Sequence, residues 1–145
     1  MARLSIEMPA QFLGSFYIPV RITDINYGNH TGNDAFVGIL HEARMQWLHK
    51  YGYTELDIEG TGLIMSDLSV EFRNESFYGD VIEVKIGVGE TGRVNFELLY
   101  LLQTQRNNEC VILARARTGM VCYDYGIKKV ASIPEKLKAL LLASF

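Results

Sequence analysis

The spacing of hydrophobic residues along the chain changes twice, and each change marks a different kind of secondary structure. Residues 15–21 have the pattern of a β-strand, and a polar stretch with two glycines, residues 23–32, ends it. From residue 34 to about residue 51, hydrophobic side chains recur at helical spacing. After a connector at residues 60–62 the period becomes two and stays there, which predicts strands.

The predicted helix carries one hydrophobic stripe that is suited to packing on a sheet. Asn33 or Asp34 is its expected N-cap, because a short side-chain oxygen can accept the unpaired N–H groups of a first helical turn. Gly52 is the expected stop signal. We interpret the stripe as core and give Trp47 no cofactor role. Its members are Phe36, Ile39, Leu40, Ala43, Trp47 and Tyr51.

The second half of the chain predicts long strands that are joined mostly by short turns. Turn signals occur at Thr91-Gly92 and at Asn107-Asn108, and the second suits a type I′ hairpin because asparagine tolerates positive φ. A short helix is expected after Pro134. The residues expected to share strand faces are Ile82, Val84, Ile86 and Val88; then Val94, Phe96, Leu98, Tyr100 and Leu102; then Ile112, Ala114, Ala116, Thr118, Met120 and Cys122.

One strand, one long helix and four further strands in this order predict an α+β fold. A long central helix would pack on a five-stranded antiparallel sheet, and residues 1–145 would form one domain. One helix covers only one face of such a sheet, so part of the remaining apolar surface would need a partner subunit. The sequence therefore predicts a homodimer, or a tetramer built from dimers.

Charge, termini and cysteines exclude several kinds of protein. The 14 basic and 17 acidic residues give a formal net charge of −3, which offers no general attraction for nucleic acid or anionic lipid. The N-terminus lacks the pattern of a secretory signal, and nothing approaches the roughly 20 apolar residues that span a membrane. Cys110 and Cys122 form no CxxC pair and are expected to be reduced thiols. We therefore expect a cytoplasmic protein that binds neither nucleic acid nor membrane.

Three segments of the sequence resemble motifs of one known family. Residues 23–30, TDINYGNH, are similar to its D-x-D-x-x-G-H entry to the central helix, and residues 42–48, EARMQWL, are similar to its E-A-R-x-x-W-L. Val70-Glu71-Phe72 followed by Gly79-Asp80 is similar to its V-x-Y…G-D. These segments resemble the 4-hydroxybenzoyl-CoA thioesterase-like family of hot-dog-fold acyl-CoA thioesterases, over roughly residues 15–140. The resemblance implies a curved sheet wrapped on the helix and hydrolysis of an acyl-CoA or acyl-carrier thioester.

The sequence departs from the family pattern at two positions. Asn26 stands where the second aspartate of D-x-D serves as the catalytic carboxylate, and Glu75 stands where a proline precedes the G-D turn. An asparagine can orient a water or a carbonyl but cannot act as a base or a nucleophile. The first departure therefore leaves the mechanism open.

The start of the predicted helix is the expected substrate-binding site. Backbone N–H groups there are unpaired and carry a partial positive charge, so they can polarise a thioester carbonyl. We predict that Asn29, Gly32 and Asn33 bind the substrate. The glycine can equally be a loop-forming residue.

Four residues are candidates for activating the water: the ionisable Glu42, Asp24 and His30, and Asn26 as an orienting amide. Glu42 lies on the helix away from the centre of the stripe, and its spacing from Asn26 is similar to the amide and carboxylate pairs of some hot-dog thioesterases. Asp24 and His30 are the other candidates, each with a structural hydrogen bond in the loop as its alternative. Glu42 can likewise be a solvated carboxylate.

Other kinds of site are weak or absent in the sequence. No metal-ligand spacing, nucleophile elbow or dinucleotide fingerprint is present, so we expect no cofactor other than the coenzyme A of the substrate. Arg115 and Arg117 share a strand face and suit either phosphate binding or a solvated surface. The alternatives to a thioesterase are a non-catalytic acyl-thioester binding module, favoured by Asn26, and a hot-dog β-hydroxyacyl thioester dehydratase.

Overall fold

A single antiparallel sheet and one long helix dominate the structure, a computed structural model that describes residues 4–143. The strand order is β1-β3-β4-β5-β2, and the short β6 pairs with β5. The strands are β1 Gly14–Pro19, β2 Gly62–Phe72, β3 Val81–Thr91, β4 Asn95–Arg106, β5 Glu109–Asp124 and β6 Lys129–Val130; the helices are α1 Asn33–His49 and α2 Glu135–Leu142, with a 3₁₀ turn at Ile22–Asp24. The α+β prediction is confirmed, with a sixth, two-residue strand added to the five that the sequence predicts. The assignment of residues 1–145 to one domain stays a prediction, and its first three and last two residues lie outside the described range.

Helix α1 differs from the prediction at both ends. Its N-cap is Gly32, not Asn33 or Asp34, and no side chain caps the first turn. A Cβ atom at Gly32 would lie 2.7 Å from Oδ1 of Asp34, so a larger residue here would require the Asp34 side chain to move. At the other end, the prediction of Gly52 as a stop signal is confirmed, since Gly52 has φ +77. Tyr51 lies beyond the helix and is 37% exposed, so its placement in the core was wrong.

The core lies between α1 and the inner face of the sheet. The register places Leu98 opposite Thr118 and Tyr100 opposite Ala116, as the alternating pattern requires. The pattern failed at two positions: Val94 lies just before β4 and is half-buried, and a register shift between Leu102 and Gln103 brings Leu113 into the core instead of Ile112. The buried residues of α1 and of the three central strands include Phe36, Ile39, Leu40, Ala43, Trp47, Leu48, Ile82, Val84, Ile86, Phe96, Leu98, Tyr100, Leu102, Ala114, Ala116, Thr118, Met120 and Cys122.

A chain of polar side chains passes through this core. Arg44 is 5% exposed, and its guanidinium donates to the Glu55 carboxylate over 2.9 Å and to the Tyr100 hydroxyl over 3.2 Å. The Tyr100 hydroxyl also hydrogen-bonds with Thr118 over 2.7 Å. Because every member has a partner, the buried charge of Arg44 is compensated and helix α1 is fixed on the sheet.

The remaining turns follow the sequence closely. Asn107 and Asn108 have φ of 50° and 63°, as a type I′ hairpin between β4 and β5 requires. Helix α2 begins directly after Pro134 and buries Leu137 and Leu141. These confirmed predictions depend on local backbone conformation, which a short segment can specify by itself.

The outer face of the sheet is partly covered by the chain's own N-terminal segment. The N–H of Ile6 donates to the Glu71 carboxylate over 2.9 Å, and Ile6 is 7% exposed. A Cβ atom at Gly87 would lie 2.5 Å from the Pro9 ring, which shows how closely this segment crosses β3. This face therefore offers a partner subunit less apolar surface than the sequence predicted.

Strand β2 ends the sheet and leaves one of its two edges unpaired within the described residues. It is 11 residues long, and Met65 and Phe72 on it are 39% and 38% exposed. A long edge strand with exposed apolar side chains is a ready template for pairing with another chain.

Candidate active site

The loop between the 3₁₀ turn and α1 is organised by the side chain of Asn26. Its Oδ1 accepts the N–H of Gly28 over 2.8 Å and that of His30 over 3.4 Å. The N–H of Asn26 donates to the carbonyl oxygen of His30 over 2.9 Å, which closes the loop on itself. Asn26 therefore has a structural role in this loop, like the turn-forming asparagines that bond to the backbone two residues on.

Asp24 is also held by its own loop. It is 6% exposed, and its carboxylate accepts the backbone N–H of Arg21 over 2.8 Å and the Arg21 guanidinium over 3.3 Å. Its carbonyl oxygen accepts the N–H of Gly32 over 3.0 Å. Asp24 thus connects the 3₁₀ turn to the start of α1.

The first turn of α1 leaves backbone donors available. The N–H of Phe36 donates to the carbonyl oxygen of Gly32 over 3.2 Å and is the first in the helical ladder. Within the described residues, the N–H groups of Asn33, Asp34 and Ala35 form no hydrogen bond. Such groups carry the positive end of the helix dipole and can bind a carbonyl oxygen that becomes negative during a reaction.

A cleft of about 190 Å³ opens beside this helix start. Within it the Nε2 of His30 lies 3.9 Å from Oε1 of Glu75, and the aromatic rings of Phe36 and Phe72 meet edge to face with centroids 5.4 Å apart. The lining residues are His30, Thr31, Asn33, Phe36, Phe72, Arg73, Asn74 and Glu75. The cleft thus combines the first residue of α1, a histidine, a carboxylate and an aromatic surface.

The connection between β2 and β3, which carries Glu75, is held by Asp80. The Asp80 carboxylate accepts the Arg106 guanidinium over 2.6 Å, the N–H of Phe77 over 2.9 Å and the Ser76 hydroxyl over 3.1 Å. Burial by itself would raise the pKa of Asp80, but the hydrogen bonds from Arg106, Phe77 and Ser76 outweigh it and hold the pKa below its usual value. Arg106 also donates to the carbonyl oxygen of Glu75 over 2.9 Å.

Glu42 lies in a different cleft, of about 330 Å³, between β1 and α1. Its carboxylate is exposed and accepts the side-chain amide of Gln46 over 2.9 Å. His41 lines the same cleft, and its Nε2 lies 2.5 Å from the Glu55 carboxylate. The lining residues are Ile18, Pro19, Arg21, Gly38, Ile39, His41, Glu42, Met45 and Gln46.

The chain matches one known protein family over most of its length. The profile of the thioesterase-like superfamily matches residues 20–141, which is most of the chain. The chain belongs to the thioesterase-like superfamily. No protein of curated function matches this thioesterase-like chain in sequence.

Solved structures confirm the hot-dog fold of this thioesterase-like protein. A 1,4-dihydroxy-2-naphthoyl-CoA thioesterase from Synechocystis superposes with a TM-score of 0.78 at 20% identity, covering 92% of this chain and 97% of that one. A thioesterase superfamily protein from Jannaschia sp. gives a TM-score of 0.82 at 14% identity, covering 93% and 84%. A 4-hydroxybenzoyl-CoA thioesterase variant complexed with 4-hydroxybenzoyl-CoA gives 0.77 at 16% identity, covering 88% and 96%. Superfamily membership supports the predicted reaction, hydrolysis of a thioester.

The thioesterase-like fold separates the residues that the sequence grouped as one site. His30 and Asn33 line the cleft at the helix start, whereas Glu42 lines the other cleft. Asn26 and Asp24 line neither of these clefts, and Asn29 is an exposed residue with φ 66. Gly32 is buried, and its N–H is already used by Asp24, so it shapes the helix start without a free donor.

Two cleft residues of the thioesterase-like protein were not identified as site residues from the sequence. Glu75 was noted only as a departure from the family pattern, and Phe72 only as part of a strand motif. Both lie more than 35 residues away from the helix start along the chain, so only the tertiary structure brings them there. The available signal was the replacement of a proline by a charged residue at position 75.

Two further expectations have structural outcomes. Arg117 is paired with Glu97 and with Asp67, so its guanidinium is occupied on the sheet surface. Cys110 and Cys122 are both free thiols, as predicted, and burial raises the pKa of Cys122 to about 11. No helix within residues 4–143 is long and apolar enough to cross a membrane, and these residues contain no cluster of three potential metal ligands.

Proposed function

We propose that this protein hydrolyses an acyl-CoA or acyl-carrier thioester at the cleft beside the start of α1. The observation that carries the proposal is the turn of unpaired N–H groups at Asn33, Asp34 and Ala35, next to a cleft that holds a histidine and a carboxylate. A thioester carbonyl docked on these N–H groups is polarised, and the oxyanion that forms on attack is stabilised there. Asn29 and Gly32 support the loop that precedes these donors.

The aromatic rings at the cleft favour an apolar acyl group. Phe72 is 38% exposed and offers its surface to a ligand, whereas Phe36 is almost fully buried behind it. Two of the structural neighbours are named as thioesterases of aromatic acyl-CoAs, the dihydroxynaphthoyl and hydroxybenzoyl derivatives. Aromatic acyl-CoAs are therefore the first substrates to test.

The proposed assembly is a homodimer formed through the free edge of β2, from which a tetramer can be built. Pairing of two β2 edges satisfies the backbone groups of both strands and covers Met65 and Phe72. Because Phe72 also lines the cleft, a partner subunit would border the substrate site. The assembly and the site thus depend on the same strand end.

The proposal includes a cytoplasmic location and no cofactor other than the coenzyme A of the substrate. Free thiols are typical of a reducing compartment, and both cysteines here are free. Neither nucleic acid nor membrane belongs to the proposed partners, in keeping with the net charge of −3.

Release of free thiol from a panel of aromatic and aliphatic acyl-CoAs tests the proposal. We expect turnover that a chelator such as EDTA leaves unchanged. Activity that is lost with chelator and returns with zinc or magnesium would contradict a metal-independent reaction.

One competing function is favoured by a specific observation. Asn26 provides no ionisable group in the loop, which suits a non-catalytic acyl-thioester binding module. Calorimetry with the same acyl-CoAs separates the two functions, because a module binds them tightly and releases no thiol.

A further inference from the structure

We propose that Glu75 and His30 hold the hydrolytic water between them and that the Glu75 carboxylate takes its proton. The inference rests on the proposed thioester hydrolysis and assigns its base to a residue outside the helix and the loop. Glu75 is the one carboxylate among the described residues that line the cleft.

The distance between the two side chains fits a bridging water. The Nε2 of His30 and Oε1 of Glu75 are 3.9 Å apart, too far for a direct hydrogen bond and close enough for one water to contact both. The Nδ1 of His30 lies 3.4 Å from the carbonyl oxygen of Thr31 and can donate its proton there. Nε2 is then an acceptor, so a water donates one proton to His30 and the other to Glu75.

The backbone segments that carry His30 and Glu75 are hydrogen-bonded to each other. The N–H of Thr31 donates to the carbonyl oxygen of Ser76 over 2.7 Å, so the residues that follow His30 and Glu75 are directly bonded. Ser76 is fully buried, and Arg106 donates to the carbonyl oxygen of Glu75. The backbone positions of His30 and Glu75 are therefore fixed relative to each other, while the Glu75 side chain itself is 64% exposed.

Asp34, in the first turn of α1, is exposed and does not line the cleft. The two carboxylates that the sequence offered as catalytic candidates are held elsewhere. Asp24 accepts from the backbone and guanidinium of Arg21, and it is 6% exposed. Glu42 lies in the cleft between β1 and α1 and accepts from Gln46. Asn26 cannot take a proton, and its Oδ1 is occupied by backbone N–H groups. Glu75 therefore supplies, at this cleft, the carboxylate that is missing at position 26.

The reaction step balances with these groups alone. The water oxygen bonds to the thioester carbon while one water proton passes to Glu75, and the carbonyl oxygen becomes an oxyanion at the N–H groups of Asn33, Asp34 and Ala35. The carbon–sulfur bond then breaks, the thiolate takes the proton back from Glu75, and the products are the free acid and the thiol. No oxidant, metal or further reactant is consumed.

Steady-state kinetics of Glu75→Gln on the best acyl-CoA of the panel tests the assignment. We expect kcat to fall by about 10²–10⁴ with little change in KM, because the glutamine keeps the size of the side chain but cannot take a proton. Glu75→Ala should be partly rescued by added formate, an effect that a purely structural role would not produce. Circular dichroism and thermal melting should show that both variants are folded.

The controls separate this inference from the function on which it rests. Glu109→Gln, at an exposed carboxylate at the β4–β5 hairpin, should keep the wild-type kcat. A wild-type protein that hydrolyses acyl-CoA while Glu75→Gln retains its rate overturns this inference alone, as does a loss of activity confined to Glu42→Gln. A wild-type protein that releases no thiol from any acyl-CoA overturns both the proposed function and this inference.

Discussion

The backbone N–H of Thr31 donates a 2.7 Å hydrogen bond to the carbonyl oxygen of Ser76, and this contact joins two loops that are 45 positions apart in the sequence. One loop leads into the free donors of α1, and the other connects β2 to β3. His30 and Glu75 are the residues immediately before the bonded pair. The geometry of the cleft therefore depends on how firmly the β2–β3 connection is held.

Asp80 is the residue that holds this connection, and its effect should depend on pH. Because its pKa is lowered in the folded protein, Asp80 stabilises the fold above its unfolded pKa of about 3.9, and this stabilisation is lost as the pH falls toward the folded pKa. At pH 7, Asp80→Asn should reduce the free energy of unfolding by about 1.5–3 kcal/mol, the usual range for a hydrogen bond to a charged group. Melting temperatures measured from pH 7 to pH 3 should show the gap to wild type shrinking below about pH 4. A gap of constant size over this range would contradict the role of the ionised carboxylate.

The Tyr100 hydroxyl connects Arg44 of the helix with Thr118 of the sheet, and its removal should be costly. Burial raises the pKa of Tyr100, so the group stays protonated and the hydrogen bonds do not depend on pH near neutrality. Tyr100→Phe leaves Arg44 and Thr118 each short of a buried partner, which should cost about 1–3 kcal/mol. Urea unfolding should show a lower midpoint with an unchanged slope. Tyr125→Phe, at a residue that is 50% exposed, is the matched control and should unfold like wild type.

The side-chain amide of Asn26 organises the loop that precedes α1. A carboxylate of the same shape should therefore preserve the structure of the loop. Asn26→Asp keeps an acceptor for the N–H groups of Gly28 and His30 and should retain activity and melting temperature. Asn26→Ala removes both side-chain hydrogen bonds and should cost about 1 kcal/mol, with a lower kcat because His30 is held less firmly by the backbone bond that remains. Equal activity of the alanine variant and wild type would show that this loop does not position the site.

The free edge of β2 should mediate dimerisation. Size exclusion coupled to light scattering should give about twice the 16.4 kDa mass of the chain. Met65→Lys places a charge on this edge and should shift the protein toward the monomer, since charged residues on edge strands oppose pairing.

Leu142→Lys is the matched control for the dimer. Leu142 is 65% exposed but lies on α2, so its variant should remain dimeric. A wild-type mass equal to one chain at micromolar concentration would rule out the dimer and any contribution of a partner to the cleft.

The sequence by itself determined the features that depend on local backbone and side-chain pattern. The alternation from Ile82 to Ile86 predicted the inner face of β3, and the pair Asn107-Asn108 predicted the hairpin that their positive φ values form. Motifs such as E-A-R-M-Q-W-L identified the fold family, because their order and spacing are specific even where single residues differ. The free N–H groups at the start of α1 followed from the existence of the helix, although its N-cap was placed one or two residues late.

Only the tertiary structure decided which side chains share the candidate cleft at the start of α1. Glu42 was a candidate because of its spacing from Asn26, and His30 because it is a histidine of the loop. Helix α1 places Glu42 beside β1, however, and the loop places His30 beside the end of β2. The backbone hydrogen bond from Thr31 to Ser76 brings Glu75 close to His30. The two segments are far apart in the sequence, so the sequence pattern does not predict this contact. Periodicity fixes the face of a strand or helix on which a residue lies, whereas the partner it meets depends on strand order and on the path of the connecting loops.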